Sequence, residues 1–126
     1  CKKAGVKLMI AHMLRYSQSV REVKAILESG DLGDVRFARS DFSIDVTRSP
    51  RTWIADPAVA GGGPIMDIGV HALDTIRFIL GGEIEAVQAF LEPPFSDTQI
   101  EMDAQIGMKF SGGRFVSIQT SFRLFY

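Results

Sequence analysis

Residues 103–122 have the sequence DAQIGMKFSGGRFVSIQTSF, and this stretch decides the fold. Apolar and polar residues alternate strictly on both sides of a turn at residues 111–114, as in two antiparallel strands that bury one face. The opposite face is polar but carries few charges, so it can meet either solvent or a partner. The residues of that polar face are Gln105, Lys109, Ser117, Gln119 and Ser121.

The rest of the chain supplies further strands and two helices. Short apolar runs predict strands over residues 6–11, 35–46 and 85–91, and helical spacing predicts helices over residues 18–29 and 64–80. Within the second strand the apolar residues change phase, which predicts a bulge near residues 39–41. This order of elements predicts an α+β fold with an open, mostly antiparallel sheet and helices on one face.

The beginning of the chain has the pattern of a different unit. Basic residues followed by Gly5 are typical of a helix C-terminus, and the predicted strand at 6–11 follows at once. A helix that leads directly into a buried strand is the end of an α/β unit. We therefore expect residues 1–16 to be the remnant of, or the connection to, another domain.

Length and composition restrict the function classes. The chain has 126 residues, of which 46% are hydrophobic, and a formal net charge of −1. This size suits one globular domain. A balanced charge without a basic stripe argues against nucleic-acid binding, and apolar stretches far shorter than about 20 residues argue against a membrane span. A single cysteine allows no internal disulfide, which favours a cytoplasmic location.

The predicted helix at 64–80 carries the residues best suited to catalysis. At about 100° per residue, Asp67, His71 and Asp74 form one polar stripe opposite an apolar face. A carboxylate one turn from an imidazole can contact it and fix its tautomer, as in an acid/base centre. The alternative is an ordinary solvated helix face, and spacing alone does not separate the two.

Two further residues are candidates for contact with a substrate. Arg15 follows the predicted strand at 6–11, and a basic residue at a strand's carboxyl end often faces a ligand crevice. Trp53, the only tryptophan, lies in a long polar loop and could stack on a ring. A surface arginine and a loop anchor are the alternative interpretations.

Cofactor and metal motifs are not found. The run Gly61-Gly62-Gly63 follows a polar loop rather than a strand, and it lacks the spacing of a dinucleotide-binding fingerprint. The chain has two histidines and no closely paired cysteines, so no metal site is predicted.

Two stretches carry a family resemblance. They are GVKLMIAHMLRY at residues 5–16 and GGGPIMDIGVHALD at residues 61–74, with Trp53 between them. Together they resemble the C-terminal part of the Gfo/Idh/MocA oxidoreductases. On this resemblance, residues 1–126 are a C-terminal α/β domain of such an enzyme, preceded by a remnant strand of a Rossmann domain at residues 1–16.

The resemblance implies a function. It implies NAD or NADP bound by a Rossmann domain in a longer parent protein, and homo-oligomers formed through the open sheet. His71 would be the acid/base residue in the oxidation of a sugar, a polyol or a related secondary alcohol, with Asp67 as its partner and Arg15, Trp53 and Asp74 near the substrate. The family's Glu-Lys-Pro motif is not in this chain. We expect the chain alone to bind no cofactor and to be inactive.

Two interpretations remain open. One is the substrate-binding and catalytic half of an NAD(P)-dependent oxidoreductase. The other is a non-catalytic module for oligomerisation or sugar binding that lacks its cofactor domain. A hydrolase that uses Asp67 and Asp74 is not favoured, because these carboxylates lie on adjacent turns of one helix and do not flank a substrate.

Overall fold

The computed structural model describes residues 1–94 and 96–124. Within these residues, three α-helices and four β-strands alternate with short 3₁₀ and π turns. The helices and strands are α1 (Gln18–Ser29), β1 (Phe37–Ser43), α2 (Pro57–Ala60), α3 (Val70–Leu80), β2 (Ile84–Glu92), β3 (Asp103–Phe110) and β4 (Arg114–Ser121). The turns are Lys2–Ala4, Met13–Tyr16, Val46–Arg48, Thr52–Ala55 and the π turn Ile65–Gly69.

The four strands form one open sheet in the order β1-β4-β3-β2. Strand β1 is parallel to β4, and the other two pairs are antiparallel. The hairpin of β3 and β4 pairs Ile106 with Ile118, so their side chains share one face. The predicted α+β fold with an open, mostly antiparallel sheet is therefore confirmed.

The polar face of the hairpin also follows the prediction, with one exception. Gln105 lies opposite Gln119, and Lys109 lies opposite Phe115, on the face that the helices do not cover. Ser121 shares this face but is buried, and its hydroxyl donates a hydrogen bond to Asp103.

Two apolar clusters form the core. The first packs α3 against the sheet and consists of Ala72, Ile76, Met108, Phe110, Val116 and Ile118. The second consists of Ile54, Ile68, Ile100 and Phe122. It joins the turn at 52–55 and the π turn to the segment before β3. This cluster holds the two chain segments that carry Trp53 and Asp67 on the same side of the domain.

The bulge predicted near residues 39–41 is wrong. Strand β1 pairs with β4 without interruption from Phe37 opposite Phe115 to Ser43 opposite Ser121. The apolar phase changes because Phe37 lies on the uncovered face, where its ring stacks on Phe115 at 6.0 Å between centroids. The register shift in this sheet falls between Ile84 and Ala86 of β2 instead.

The strand predicted over residues 6–11 is also not formed within the described part of the chain. This segment has no regular secondary structure and no strand partner, and Leu8 and Ile10 are 74% and 72% exposed. A strand needs a neighbour for its backbone hydrogen bonds, and none is adjacent here. None of the helices in residues 1–94 and 96–124 is long and apolar enough to cross a membrane.

Candidate functional site

The glycine-rich turn, residues 61–69, connects α2 to α3. Its path determines where Asp67 and the start of α3 lie. The Glu101 carboxylate accepts hydrogen bonds from the backbone N–H groups of Gly63 (3.0 Å) and Ile65 (3.2 Å). From β4, the Thr120 hydroxyl donates to the Pro64 carbonyl at 3.3 Å. Both sides of this turn are therefore fixed by residues distant in sequence.

Gly63 has a steric reason to be glycine. A Cβ built on Gly63 would overlap the carbonyl oxygen of Glu101, which is backbone and cannot swing away. The absence of a side chain thus lets the turn approach the segment before β3, where Glu101 reaches its amides.

The helix predicted over 64–80 exists, but it begins with a π turn. The Val70 N–H donates to the Ile65 carbonyl, five residues back, before regular α-helix begins. A π turn inserts one residue relative to an α-helix, so side chains within it leave the 100° wheel. Asp67 is therefore displaced from the stripe that the wheel gave it relative to His71.

Asp67 contacts Arg51 instead of His71. The Arg51 guanidinium reaches both carboxylate oxygens, with distances of 3.2 Å and 3.4 Å. No hydrogen bond or ion pair joins Asp67 to His71 within the described residues. The predicted contact of this pair is thus not made. The π turn changes the direction of the Asp67 side chain, and Arg51 binds its carboxylate.

Asp74 is the centre of a second charged group. Arg15 grips its carboxylate with two nitrogens, and the Arg15 Nε lies 2.8 Å from Oδ2. His12 Nδ1 lies 3.6 Å from the same oxygen. The hydrogen bonds from Arg15 hold the pKa of the Asp74 carboxyl below its usual range, and nearby positive charges add to this effect against partial burial.

His71 lies in the first turn of α3, between Asp67 and Asp74 in the chain. Its side chain is half-buried. Across the part of the chain that the structure describes, its ring makes no hydrogen bond and no ion pair. Each carboxylate beside it in sequence is already neutralised by an arginine, so the imidazole is left with both ring nitrogens uncommitted.

Arg15 and Trp53 differ in how free they are. Arg15 is held by Asp74, and its guanidinium lies 5.6 Å from the centre of the Phe78 ring. Trp53 is 48% exposed beside the buried Ile54, so part of its indole remains open to a ligand. Arg15 is therefore occupied in binding Asp74 of α3, whereas Trp53 has an indole surface that a ligand can reach.

Two residues of this arrangement escaped the sequence reasoning. Glu101 stands between the apolar residues Ile100 and Met102, and a charge inside an apolar run is a signal of a buried, hydrogen-bonded carboxylate. Arg51 lies two residues before Trp53 in a polar loop, and no pattern distinguishes it from other surface arginines.

One possible anion-binding position among the described residues is already occupied. The amides of Gly63 and Ile65, which could hold an anion at the start of a helix, are occupied by the Glu101 carboxylate. Within residues 1–94 and 96–124 there is also no group of three or more His, Cys, Asp or Glu side chains placed to hold a metal ion.

Comparison with known proteins identifies the domain type. The family model described as the GFO/IDH/MocA C-terminal domain matches residues 20–126. D-xylose 1-dehydrogenase [NADP(+)] of Haloarcula marismortui is 29% identical over 110 residues, which are 82% of this chain and 31% of that protein. Trans-1,2-dihydrobenzene-1,2-diol dehydrogenase of Oryctolagus cuniculus is 35% identical over 101 residues, which are 77% of this chain and 30% of that protein.

A solved structure gives the same result. The aldose-aldose oxidoreductase of Caulobacter crescentus, solved with glycerol, matches with a TM-score of 0.85 and 31% identity. The match covers 98% of this chain and 38% of that one. The chain thus spans about a third of the length of the curated relatives that it matches.

Proposed function

The chain belongs to the GFO/IDH/MocA family, and from this premise we propose that it is the substrate-binding and catalytic half of an NAD(P)-dependent oxidoreductase. The observation that carries the proposal is the uncommitted ring of His71 beside two carboxylates that arginines already neutralise. An imidazole in this position can take a proton from a substrate hydroxyl without first breaking a contact of its own.

The proposed chemistry is the oxidation of a secondary alcohol to a ketone. His71 accepts the hydroxyl proton while the carbinol carbon loses a hydride, so the carbon gives up two electrons in total. The hydride acceptor would be NAD or NADP, and the amides of Gly63 and Ile65, the candidates in the glycine-rich turn for holding its phosphates, already bind the Glu101 carboxylate. We therefore propose that the nucleotide is bound by another part of a longer protein.

The proposed substrate is a sugar, a polyol or a related compound with neighbouring hydroxyls. The relatives named above are dehydrogenases or oxidoreductases of a sugar or a diol by their names. In this chain, the exposed part of Trp53 offers a flat surface for a ring, and Asp67 and Asp74 keep lone pairs that can accept hydroxyl hydrogen bonds. Arg15 would act mainly through Asp74.

Residues 1–16 would connect this domain to a nucleotide-binding domain. The apolar side chains of residues 6–11 are exposed although their composition is that of a buried strand. Pairing with strands of another domain would satisfy both their backbone groups and their side chains. We also propose a cytoplasmic location, for which the single cysteine is the supporting feature.

The test is a substitution of His71 in a longer protein that contains this chain and a nucleotide-binding domain. With NAD or NADP and a panel of sugars and polyols, we expect His71→Ala to lower kcat by about 10²–10⁴, the usual contribution of a general base. Glu28→Gln is the control, because Glu28 is exposed on α1 and forms its ion pair with Lys24 of the same helix, at 2.6 Å. Wild-type turnover by His71→Ala would exclude the proposed mechanism.

A homo-oligomer formed through the uncovered sheet face is a second proposal. Phe37, Phe90 and Phe115 are exposed on this face, and a second copy of the chain could bury them. In sedimentation experiments we expect Phe37→Lys to shift the chain towards the monomer, whereas Val23→Lys on the exposed side of α1 should not. An oligomer that persists in Phe37→Lys would overturn this proposal. An intact oligomer together with no turnover by the wild-type longer protein on any alcohol of the panel would favour the non-catalytic module.

A further inference from the structure

Glu101 is a carboxylate in a place where carboxylates are costly. The residue is 3% exposed, and within the described residues no arginine, lysine or histidine forms an ion pair with it. A buried charge of this kind needs compensation. The compensation comes from the two amides at the start of the glycine-rich turn, where the partial positive charge of the backbone also favours an anion.

The amides that Glu101 holds lie at the start of the π turn. Ile65 gives its N–H to Glu101, and its carbonyl accepts the N–H of Val70, which closes the π turn. Asp67 lies inside that turn, and His71 directly follows Val70. A displacement of Ile65 is therefore transmitted through one hydrogen bond to the backbone that carries His71.

A regular α-helix would not place these residues in the same way. A π turn differs from an α-turn by one residue, so relaxation of the turn would rotate Asp67 relative to His71 by about 100°. The contacts of Glu101 with Gly63 and Ile65 fix the point from which this turn is built. The Thr120–Pro64 hydrogen bond supports the same backbone from β4.

We propose that Glu101 is a positioning residue that sets the orientation of His71 for proton transfer by holding the first residues of the π turn. This inference rests on the proposed function for its biological meaning. The geometric part, that Glu101 determines where the His71 ring lies, can be tested on this chain without turnover or cofactor.

The test uses Glu101→Gln in the uniformly ¹⁵N-labelled chain, and NMR follows both the backbone amides and the histidine rings. The chain has two histidines, so His12 is an internal reference, and a His71→Asn variant assigns the signals. The side-chain amide of the variant keeps one acceptor oxygen and places a donor opposite the other backbone N–H, so we expect hydrogen exchange at either Gly63 or Ile65 to rise about tenfold. The His71 ring signals should shift, whereas the His12 signals and the protection of the Ile106 and Ile118 amides should stay unchanged.

Asp103→Asn is the matched control. Asp103 is two residues from Glu101, but its carboxylate contacts Ser121 and Arg123 and not the glycine-rich turn. The control should leave the His71 signals in place. The proposal is overturned if Glu101→Gln leaves the exchange at Gly63 and Ile65 unchanged, or if exchange rises while the His71 signals remain at their wild-type positions.

If Glu101→Gln does not fold, a second variant is needed. Glu101→Asp, which keeps the charge but shortens the side chain by one methylene, is then judged by the same signals. If neither variant folds, Glu101 supports the whole domain and the specific positioning role is overturned. If the NMR results are as expected while His71→Ala in the longer protein turns over normally, Glu101 positions the ring but the proposed oxidoreductase mechanism fails.

Discussion

The glycine-rich turn and the segment at residues 6–11 are both runs of small or apolar residues, yet their surroundings are opposite. Gly63, Pro64 and Ile68 of the turn are buried, whereas Leu8 and Ile10 are largely exposed. The turn is held by Glu101 and Thr120, both distant in sequence, and its Ile68 packs in the second apolar cluster. The segment at 6–11 has no strand partner among the described residues, which shows that an apolar run indicates a need for a partner rather than a particular structure.

The largest expected loss of stability comes from a substitution at Gly63, where the turn packs against Glu101. A Cβ at this position overlaps the backbone of Glu101, so Gly63→Ala must displace either the turn or the segment before β3. We expect a loss of about 3 kcal/mol in the free energy of unfolding, at the upper end of the range for overpacking. Urea denaturation followed by circular dichroism measures it.

Gly61→Ala is the control for this prediction. Gly61 has a φ of +72°, but a Cβ there meets nothing within 4 Å. Its substitution should cost about 1 kcal/mol from backbone strain alone. If Gly63→Ala lowers the free energy of unfolding no more than Gly61→Ala does, the turn is not held tightly against the segment before β3. The turn would then differ less from residues 6–11 than the structure indicates.

A middle-sized effect is expected where the N-terminal residues are attached to the domain. Arg15, in the turn that follows the exposed segment, is held by Asp74 of α3. Asp74→Asn removes the charge from this contact, and we expect the melting temperature to fall by a few degrees. Asp31→Asn, at an exposed aspartate after α1, should leave the melting temperature unchanged.

The effect at Asp74 should depend on pH. Its pKa is lowered in the folded state, chiefly by the hydrogen bonds from Arg15, so the charged carboxylate stabilises the fold. That contribution is complete above the ordinary carboxyl pKa of about 3.9 and is lost as the pH falls through the lower pKa of the folded state. The wild type and Asp74→Asn should therefore differ near neutral pH and converge in acid. A difference that persists in acid would show that packing, not charge, makes the attachment.

The same contrast explains how far the sequence predicts this molecule. The hairpin at 103–122 and helix α1 follow from periodicity, because their partners are adjacent or their burial is regular. The Asp67–His71 contact does not follow, since the wheel assumes an unbroken α-helix and the π turn depends on Glu101, which is distant in sequence. Likewise the phase change in β1 looks like a bulge until Phe115, far along the chain, is known to stack on Phe37.

The smallest effect on the free energy of unfolding is expected at residues 6–11, and it tests directly whether this segment lacks a partner. Leu8 is 74% exposed, so Leu8→Ser removes little buried area and should change the free energy of unfolding by no more than about 0.5 kcal/mol. In a longer protein where another domain covers residues 6–11, the same substitution should cost about 1.5–3 kcal/mol, the value of burying a leucine. Chemical denaturation of both proteins gives the two numbers.

Ile118→Ala is the control in each, because Ile118 is fully buried in this domain and its cost should be the same in both proteins. If Leu8→Ser is equally mild in both, the segment has no partner there either, and its apolar composition needs a different explanation.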